Sequence, residues 1–413
     1  MNKKKSLIFF LVYILLVNCS FDTKTGIWTG DQVVKKKAAE KEKEKIRKQN
    51  RKKIYSVDYS YSFEKTLVKK INLSKPIKNL DWKMPGLNEQ NFLGNIYLSG
   101  INNKFLKKKI VKNRFFSLSK KKSSPLIYKN LTFSIYKNNI YVADNVGFIY
   151  AIGLDSGKLL WIKNHGVPFK SKIKVFDDKI FLMNQDNKII SFDVKDGSVI
   201  WNIPSVSSFI KSQNFLSLAV SKKGDIVAIT TLGDLLKINS KNGKIEWSLN
   251  TLGSVLTDVT DFFKSSDIVI IDDSIFFSVQ SSFFSCDLNS GYVRWRLNVS
   301  SVSAPIINDG NIFVVTENGY FVIINKDSAE IISSTNILKI LKKKKQLTKV
   351  TGFIMGSGKI YSVTSNGYLI TSSAVSGKVV NFKKIGDPIT SSPVINDGKL
   401  FVYTENSRIL GFN

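Results

Sequence analysis

The feature that most constrains the fold is a short segment that recurs along most of the chain. Four copies end in tryptophan: DSGKLLW at Trp161, KDGSVIW at Trp201, KNGKIEW at Trp247 and NSGYVRW at Trp295. A glycine lies four residues before each tryptophan, at Gly157, Gly197, Gly243 and Gly291. In two weaker copies, serine and asparagine (Ser333 and Asn381) replace the tryptophan, and the six ends are on average 44 residues apart. Such a period indicates one supersecondary unit used repeatedly.

Short apolar runs precede each copy and indicate the secondary structure of the repeating unit. Examples are NNIYVADNVGFIYAIGL at 138–154 and GNIFVVTENGYFVIIN at 310–325, in which apolar residues alternate between Asn-Gly, Asp-Gly or Asn-Asp turns. This alternation predicts an antiparallel meander of about four strands. One such meander cannot bury both of its faces, but several arranged radially around an axis form a β-propeller.

The repeats predict an all-β propeller of seven or eight four-stranded blades. Six copies are complete, and a seventh, at 391–413, stops after three strands. We expect an N-terminal strand from within 93–112 to complete it and close the ring. An eighth blade within 54–118, which contains Trp82 and Gly86, is the alternative. Because tryptophan fills space between blades, we expect looser packing at Ser333 and Asn381.

The N-terminus predicts export. Lysines 3–5 precede the apolar segment 6–17, which suits the core of a signal peptide. LVNC at 16–19 resembles a bacterial lipobox, in which Cys19 would be lipidated, although Asn18 departs from the small residue usual there; a plain secretory signal is the alternative. The expected organisation is a signal peptide (1–18), a lipidated N-terminus and charged tether (19–53), a segment that supplies the closing strand (54–122) and the propeller repeats (123–413).

The charge balance raises the question of nucleic acid. The chain has 62 Lys and Arg against 32 Asp and Glu, a formal net charge of +30. Much of the excess lies in short lysine runs and in the tether, where residues 35–53 carry eleven basic and three acidic side chains. The aromatic residues of the chain fall mainly at alternating strand positions, where they serve core packing rather than base stacking. We therefore expect no nucleic-acid partner.

The residue inventory argues against catalysis and metal binding. One histidine, His165, follows a blade end, and Cys286 is the one cysteine besides Cys19. A histidine metal cluster is therefore impossible, and Cys286 is interpreted as an inert strand residue. The Gly-Lys pairs at 157, 243 and 377 join strands, whereas a phosphate loop joins a strand to a helix. No catalytic residue, metal or cofactor is predicted.

The repeat resembles the tryptophan-docking repeat of the pyrroloquinoline-quinone-like (PQQ-like) propeller superfamily. With the lipobox, the length and NLDWKMPG at 79–86, the mature chain is similar to the BamB family of outer-membrane lipoproteins. The resemblance implies a non-catalytic monomer within a complex, lipid-anchored at the periplasmic face of the outer membrane, which assists β-barrel assembly. The alternative is a periplasmic quinoprotein-type dehydrogenase, or a propeller that binds another ligand.

The family resemblance also implies a partner site. BamB proteins bind the barrel-forming subunit BamA through two loops on one face of the propeller. Here SSFIKS at 207–212 and TDVTD at 257–261 resemble those loops. Ile210 would be the apolar anchor, Lys211 would stand for the family's arginine, and Asp258 would be the first acidic residue. Thr260 replaces the second carboxylate that the family pattern expects.

Overall fold

The computed structural model describes residues 19–21, 28–30, 61–67, 71–110, 131–204, 211–212, 214–252 and 263–413. The chain forms two compact units, Met1–Tyr59 and Ser60–Asn413. In the first unit, β1 (Cys19–Phe21) pairs antiparallel with β2 (Trp28–Gly30). The signal-peptide prediction, and the tether prediction beyond these two strands, lie outside the described residues.

The second unit contains seven four-stranded antiparallel sheets. We number these blades in chain order and letter their strands A to D along the sheet. Blade 1 comprises β4 (Leu131–Tyr136), β5 (Asn139–Asp144), β6 (Phe148–Gly153) and β7 (Leu159–Asn164). Blade 2 comprises β8 (Lys174–Phe176), β9 (Lys179–Met183), β10 (Ile189–Asp193) and β11 (Val199–Ile203). Blade 3 comprises β12 (Leu218–Val220), β13 (Asp225–Ile229), β14 (Asp234–Asn239) and β15 (Ile245–Asn250).

The later blades repeat this arrangement. Blade 4 comprises β16 (Val269–Ile271), β17 (Ser274–Val279), β18 (Ser282–Asp287) and β19 (Val293–Leu297). Blade 5 comprises β20 (Ile306–Asn308), β21 (Asn311–Val315), β22 (Tyr320–Asn325) and β23 (Ile331–Asn336). A 3₁₀ segment, Ile337–Leu347, follows and is interrupted at Lys342 (φ 49°). Blade 6 comprises β24 (Val350–Gly356), β25 (Lys359–Thr364), β26 (Tyr368–Ser373) and β27 (Val379–Lys384).

Blade 7 shows how the ring closes. Its chain-terminal strands, β28 (Val394–Asn396), β29 (Lys399–Tyr403) and β30 (Arg408–Phe412), are joined by β3 (Lys104–Lys109), which pairs antiparallel with β30. The prediction that a strand from within 93–112 completes the last blade is confirmed, and the blade count is seven. Among the described residues of 54–118, β3 is the one multi-residue strand, so the eighth blade expected as an alternative is absent there.

The strand order fixes two different faces of the ring. The A strands of blades 1 to 4 contact one another in order, as do those of blades 6 and 7, so the A strands line the axis. In an antiparallel meander, the A–B and C–D turns lie at one end of the blade, and the B–C turns and the D–A loops that lead to the next blade lie at the other. We call these ends the turn face and the loop face.

The recurring glycine and tryptophan lie where consecutive blades meet. Each tryptophan indole donates a hydrogen bond to a backbone carbonyl of the following blade, for example Trp201 Nε1 to Ser240 O at 3.0 Å. The glycines have positive φ, between 62° and 74° at Gly157, Gly197, Gly243 and Gly291. A Cβ atom at Gly243 would lie 2.8 Å from the Trp201 ring. Glycine is therefore required both by the backbone and by the close approach of the indole.

The two copies without tryptophan differ from each other. Ser333 is 1% exposed, and residues 61–67 lie along this edge of blade 5: Lys65 forms a β-bridge with Ser334. Ile71, together with partly buried Leu67 and Leu73, packs into the apolar cluster shared by blades 5 and 6. The N-terminal segment thus fills space at this junction, contrary to the looser packing expected there. Asn381 is exposed and does not fill the junction between blades 6 and 7.

Residues 71–101, which we call the floor segment, cross the turn face. Its backbone accepts hydrogen bonds from or donates them to A strands and their turns, as in Val220 N to Glu89 O (2.9 Å) and Ile270 N to Gln90 O (3.1 Å). Buried Asn91 donates through Nδ2 to Leu218 O and Ile268 O, at 3.2 and 2.8 Å. Across its length the segment bonds to all seven blades, through Ile135, Lys174, Val220, Ile270, Asn308, Ser357 and Asp397. It therefore closes one end of the axial channel.

Candidate functional site

The axial channel opens at the loop face as a cavity of about 400 Å³. Its floor is formed by Trp82, Pro85, Gly86 and Leu93 of the floor segment. A Cβ atom at Gly86 (φ 80°) would lie 2.1 Å from Asn91 Oδ1, so the tight turn of the floor admits only glycine there. The walls come from D–A loops and carry many hydroxyl groups: Ser265, Ser266, Ser303, Thr351, Thr390, Ser391 and Ser392. The walls thus combine these hydroxyl groups with apolar side chains such as Phe215 and Phe353, and the base is partly apolar.

One ion pair crosses the wall of this cavity. Lys172 Nζ lies 2.6 Å from Asp267 Oδ1, and the Asp267 side chain is 11% exposed. The same ammonium lies 5.0 Å from the centroid of the Phe215 ring, a cation–π distance. Lys172 belongs to the loop before blade 2, Phe215 to the loop before blade 3 and Asp267 to the loop before blade 4. The contact therefore ties three consecutive loops together.

A second cavity of about 440 Å³ adjoins the first on the loop face. At its edge Glu317, in the B–C turn of blade 5, pairs with Lys349 Nζ at 2.5 Å and with Lys264 Nζ at 3.3 Å. Burial raises the pKa of Glu317, but the bonds from these two lysines outweigh it and hold the pKa below its usual range. This carboxylate therefore ties the loops before blades 4 and 6 to the turn of the blade between them.

The predicted partner residues fall on this face only in part. Lys211 lies in the loop after blade 2, and its Nζ is 3.1 Å from Asp186 Oδ1 in the B–C turn of the same blade. Ser212 N also donates to Gln185 O at 2.8 Å, so the loop end is bound to that turn. Ile210, Asp258 and Thr260 lie outside the described residues. Their roles stay predictions.

Lys174 is a buried basic residue beneath the cavity that the sequence did not single out. Its side chain is 0% exposed, and its ammonium donates to Pro85 O and Asn88 O of the floor segment, both at 2.6 Å. Burial, with a contribution from nearby Lys172, lowers the pKa of Lys174 to about 7. This buried amino group, which donates to two carbonyl oxygens, ties the floor to blade 2.

The remaining chemical candidates carry no site. His165 lies half-buried 4.5 Å from the ring centroid of Phe192, and burial followed by the charge of Lys163 lowers its pKa. Cys286 is fully buried in β18, and burial raises the pKa of its thiol to about 12, so it stays a thiol at neutral pH. No group of three or more His, Cys, Asp or Glu side chains able to hold a metal occurs in the part of the chain that the structure describes.

The axial cavity does not fit a quinone with Ca²⁺. Such a site needs several carboxylate and amide oxygens around the ion. Among the described residues that line the cavity, Asp267 is the one carboxylate, and Lys172 already occupies it. The lining contains no asparagine or glutamine in that same described part of the chain. We therefore derive no chemistry through such a cofactor.

The sequence signals for this face were weak. Lys172 and Asp267 are 95 residues apart and lie in loops of no repeating pattern. Glu317 occurs in TENG, one of several similar turns, and nothing in it marks an ion pair with two lysines. The one available signal was the chain order of the blades, which places all D–A loops and B–C turns at one face.

Comparison with known proteins finds that part of this chain is similar to outer-membrane assembly factors. The model of a family described as outer membrane protein assembly factor BamB matches residues 130–335. Curated relatives with the same description include those of Moranella endobia (24% identical, 47% of this chain and 51% of the relative) and Yersinia pestis (19%, 48% and 64%). The Escherichia coli K12 protein is 20% identical over 46% of this chain and 62% of its own. The chain spans about half to just under two-thirds of these relatives' length.

Solved structures agree on the fold alone. BamB from Moraxella catarrhalis aligns with a TM-score of 0.57 and 11% identity, over 67% of this chain and 82% of that one. A europium-containing methanol dehydrogenase aligns with a TM-score of 0.51 and 11% identity, over 66% and 72%. Within the described residues no helix has the length and apolar character needed to cross a membrane.

Proposed function

We propose that this chain, whose repeats are similar to those of BamB proteins, is a non-catalytic scaffold in the assembly of outer-membrane β-barrel proteins. Its partner is a BamA-like barrel protein, bound through D–A loops after blades 2 and 3. The observation that carries the proposal is the asymmetry of the ring: the floor segment covers the turn face, and the loop face is left to present loops.

The geometry at Lys211 supports this role. A rigid propeller holds variable loops at fixed positions, which is a common way to present a binding surface. Lys211 is anchored by Asp186, so its charge is offered to a partner from a defined position. Charged residues at the rim of an interface act mainly on association rate and specificity. We propose Ile210 as the apolar anchor beside it and Asp258 as the acidic contact from the next loop.

We also propose that the protein is a monomer within its complex and is held at the periplasmic face of the outer membrane. The anchor would be a lipid on Cys19, followed by the basic tether to residue 53. The family names of the relatives support the outer-membrane location. Labelling cells with a clickable palmitate analogue tests the anchor: the wild-type protein should carry label, and Cys19→Ala should carry none.

The partner proposal is tested by affinity purification from detergent-solubilised membranes. The wild-type chain should recover a BamA-like barrel protein, and Lys211→Glu and Asp258→Lys should each recover at least tenfold less. Lys195→Glu is the matched control, because Lys195 is an exposed lysine in a C–D turn on the opposite face. Recovery at the wild-type level by both loop variants contradicts the loop assignment, and failure of the wild type to recover any barrel protein contradicts the scaffold proposal.

A further inference from the structure

The junction between blades 7 and 1, which we call the seam, differs from every other junction in the ring. Buried apolar clusters join blades 1 to 2, 2 to 3 to 4, 4 to 5, 5 to 6 and 6 to 7. Among the described residues, no such cluster joins blade 7 to blade 1. Each of these two blades therefore has one apolar sheet face that is not fully buried.

On blade 1, strand register identifies the residues of the open face. Tyr141, Ala143, Ile149 and Ala151 point towards blade 2 and are at most 1% exposed. The alternate positions point the other way. In cross-strand order, one row is Phe133, Val142, Tyr150 and Ile162. Phe133 is 50% exposed, and neighbouring Leu131 is 58% exposed. In blade 4, by contrast, every residue of β17 is buried on both faces.

Blade 7 presents the matching face. Leu400, Val402, Leu410 and Phe412 pack towards blade 6. The alternate residues of β29 and β30 include Phe401, Tyr403 and Ile409, and none of these is fully buried. Tyr403 is 40% exposed, and Phe105, whose ring packs edge-on against Phe401, is 44% exposed. The seam is thus an apolar groove with aromatic side chains on both sides.

The docking glycine gives independent evidence that the seam is open. The register of β3 on β30 puts Leu106 at the position that tryptophan holds in the first four blades. In the docked junctions, a Cβ atom at Gly197, Gly243 or Gly291 would lie within 2.8 Å of the preceding tryptophan. A Cβ atom at Gly157, which faces the seam, would have no atom of the described residues within 4 Å. Leu106 therefore does not dock on blade 1.

The charge around the groove decides what it can accept. Strand β3, its blade 7 rim, carries Lys104, Lys107, Lys108 and Lys109, which are all exposed. None of these four forms an ion pair with a described residue. Lys108 lies in the same cross-strand row as Ile409 and Tyr403, so its charge borders the apolar surface. An occupant with acidic groups beside its apolar side chains matches this rim.

Charge argues against two occupants that this chain could supply itself. A second copy also has a net charge of +30 and would bring like charge to the rim. Residues 111–130, which connect β3 to β4, have six basic and no acidic residues. We propose that the seam is a docking groove for an extended segment of another protein, with alternating apolar side chains and acidic flanks. This site is separate from the loops of the proposed BamA contact.

A labelled peptide tests the proposal on the full chain. The probe has a seven-residue core that alternates Phe or Val with Thr or Ser, flanked by Asp-Glu and Glu-Asp, and its binding is followed by fluorescence anisotropy. We expect saturable binding that weakens with salt, and at least tenfold weaker binding when the acidic flanks become lysines. Absence of binding, or equal binding of both peptides, overturns the proposal.

Variants place the peptide on the seam. Phe133→Glu, Tyr403→Glu and the double change Lys107→Glu with Lys108→Glu should each weaken binding at least tenfold. Tyr292→Glu is the control, because Tyr292 is 70% exposed on blade 4, away from the seam. Circular dichroism and urea midpoints establish that each variant is folded. If the folded seam variants bind like wild type, the groove is not the site.

Two further measurements separate the other occupants. Replacing residues 111–130 by a Gly-Ser linker of equal length should change peptide affinity less than twofold; a tenfold gain would mean that the chain's own segment fills the groove. Sedimentation velocity should show a monomer. A dimer that Phe133→Glu dissociates would mean that a second copy fills it. The affinity purification of the BamA-like protein tests the loop face and does not depend on the seam, so the two proposals can fail independently.

Discussion

The tryptophan-docked junctions and the seam are two solutions to joining the same kind of blade. At the four successive junctions from blade 1 to blade 5, a tryptophan of one blade fills the space beside the next blade and donates a hydrogen bond to its backbone. At the seam, Leu106 takes that position and the two facing sheets stay partly exposed. The difference shows that a propeller can be closed by strand pairing within one blade while one junction between blades stays partly exposed.

The floor segment explains how an open seam is tolerated. Its backbone bonds to Ile135 of blade 1 through Lys83 O and to Asp397 of blade 7 through Asn79 O, at 2.7 Å each. The two blades that border the seam are thus held to one continuous segment at the turn face. The polypeptide chain itself is a further link, because β3 of blade 7 is followed along the chain by β4 of blade 1. The ring therefore does not depend on packing across the seam.

The largest expected effect comes from removing a docked indole. Trp247→Ala should lower the free energy of unfolding by about 3 kcal/mol, because it deletes a large ring packed on blade 4 and the hydrogen bond from Nε1 to Leu288 O. Leu106→Ala, at the same position of the seam, should cost less than about 1 kcal/mol. Urea unfolding monitored by circular dichroism measures both. Equal losses would show that the seam is packed like the other junctions.

The docking glycines give a second matched pair. Gly243→Ala should cost about 2 to 3 kcal/mol, because φ is 73° and the new methyl group would lie 2.8 Å from the Trp201 ring. Gly157→Ala has a similar φ of 62°, but no described atom lies within 4 Å of the new methyl group, so it should cost only about 1 kcal/mol of backbone strain. The difference between the two midpoints isolates the contact from the strain. A larger loss at Gly157 would contradict an open seam.

A third test addresses the floor that compensates for the seam. The pKa of Lys174 is lowered to about 7 in the folded protein from an ordinary value of 10.5. Between these values the unfolded chain binds more protons, so stability should rise with pH, by about 1.5 kcal/mol from pH 7 to pH 8.5. Lys174→Met removes the titrating group and should abolish this rise. Urea midpoints across this range measure it, and an unchanged slope in the variant would assign the rise to another group.

The ring of blades could be predicted from the sequence, but the differences between its junctions could not. The spacing of Gly157, Trp161 and their equivalents predicted the blades. Each tryptophan packs on the C–D turn of the following blade, so the same pair of residues recurs in the first four blades. KFLKKK of β3 has no repeat signature, so the closing strand was predicted only as lying within 93–112. The floor segment was missed because its backbone bonds go to residues far away in sequence, and no local pattern encodes such bonds. The seam could not be predicted from the sequence, because β5 and β6 have the same alternation of side chains as the strands of the other blades.

The smallest expected effect separates binding from stability on the loop face. The ion pair between Lys211 and Asp186 is 3.1 Å long, and the Lys211 side chain is 57% exposed, so solvent screens it. Lys211→Ala should therefore change the free energy of unfolding by less than about 0.5 kcal/mol. The same variant should still weaken recovery of the BamA-like partner, because the proposed contact uses the lysine whereas the fold does not depend on it. If the urea midpoint of Lys211→Ala falls as far as that of Trp247→Ala, the loop holds the ring together, and lost recovery can no longer be assigned to a binding contact.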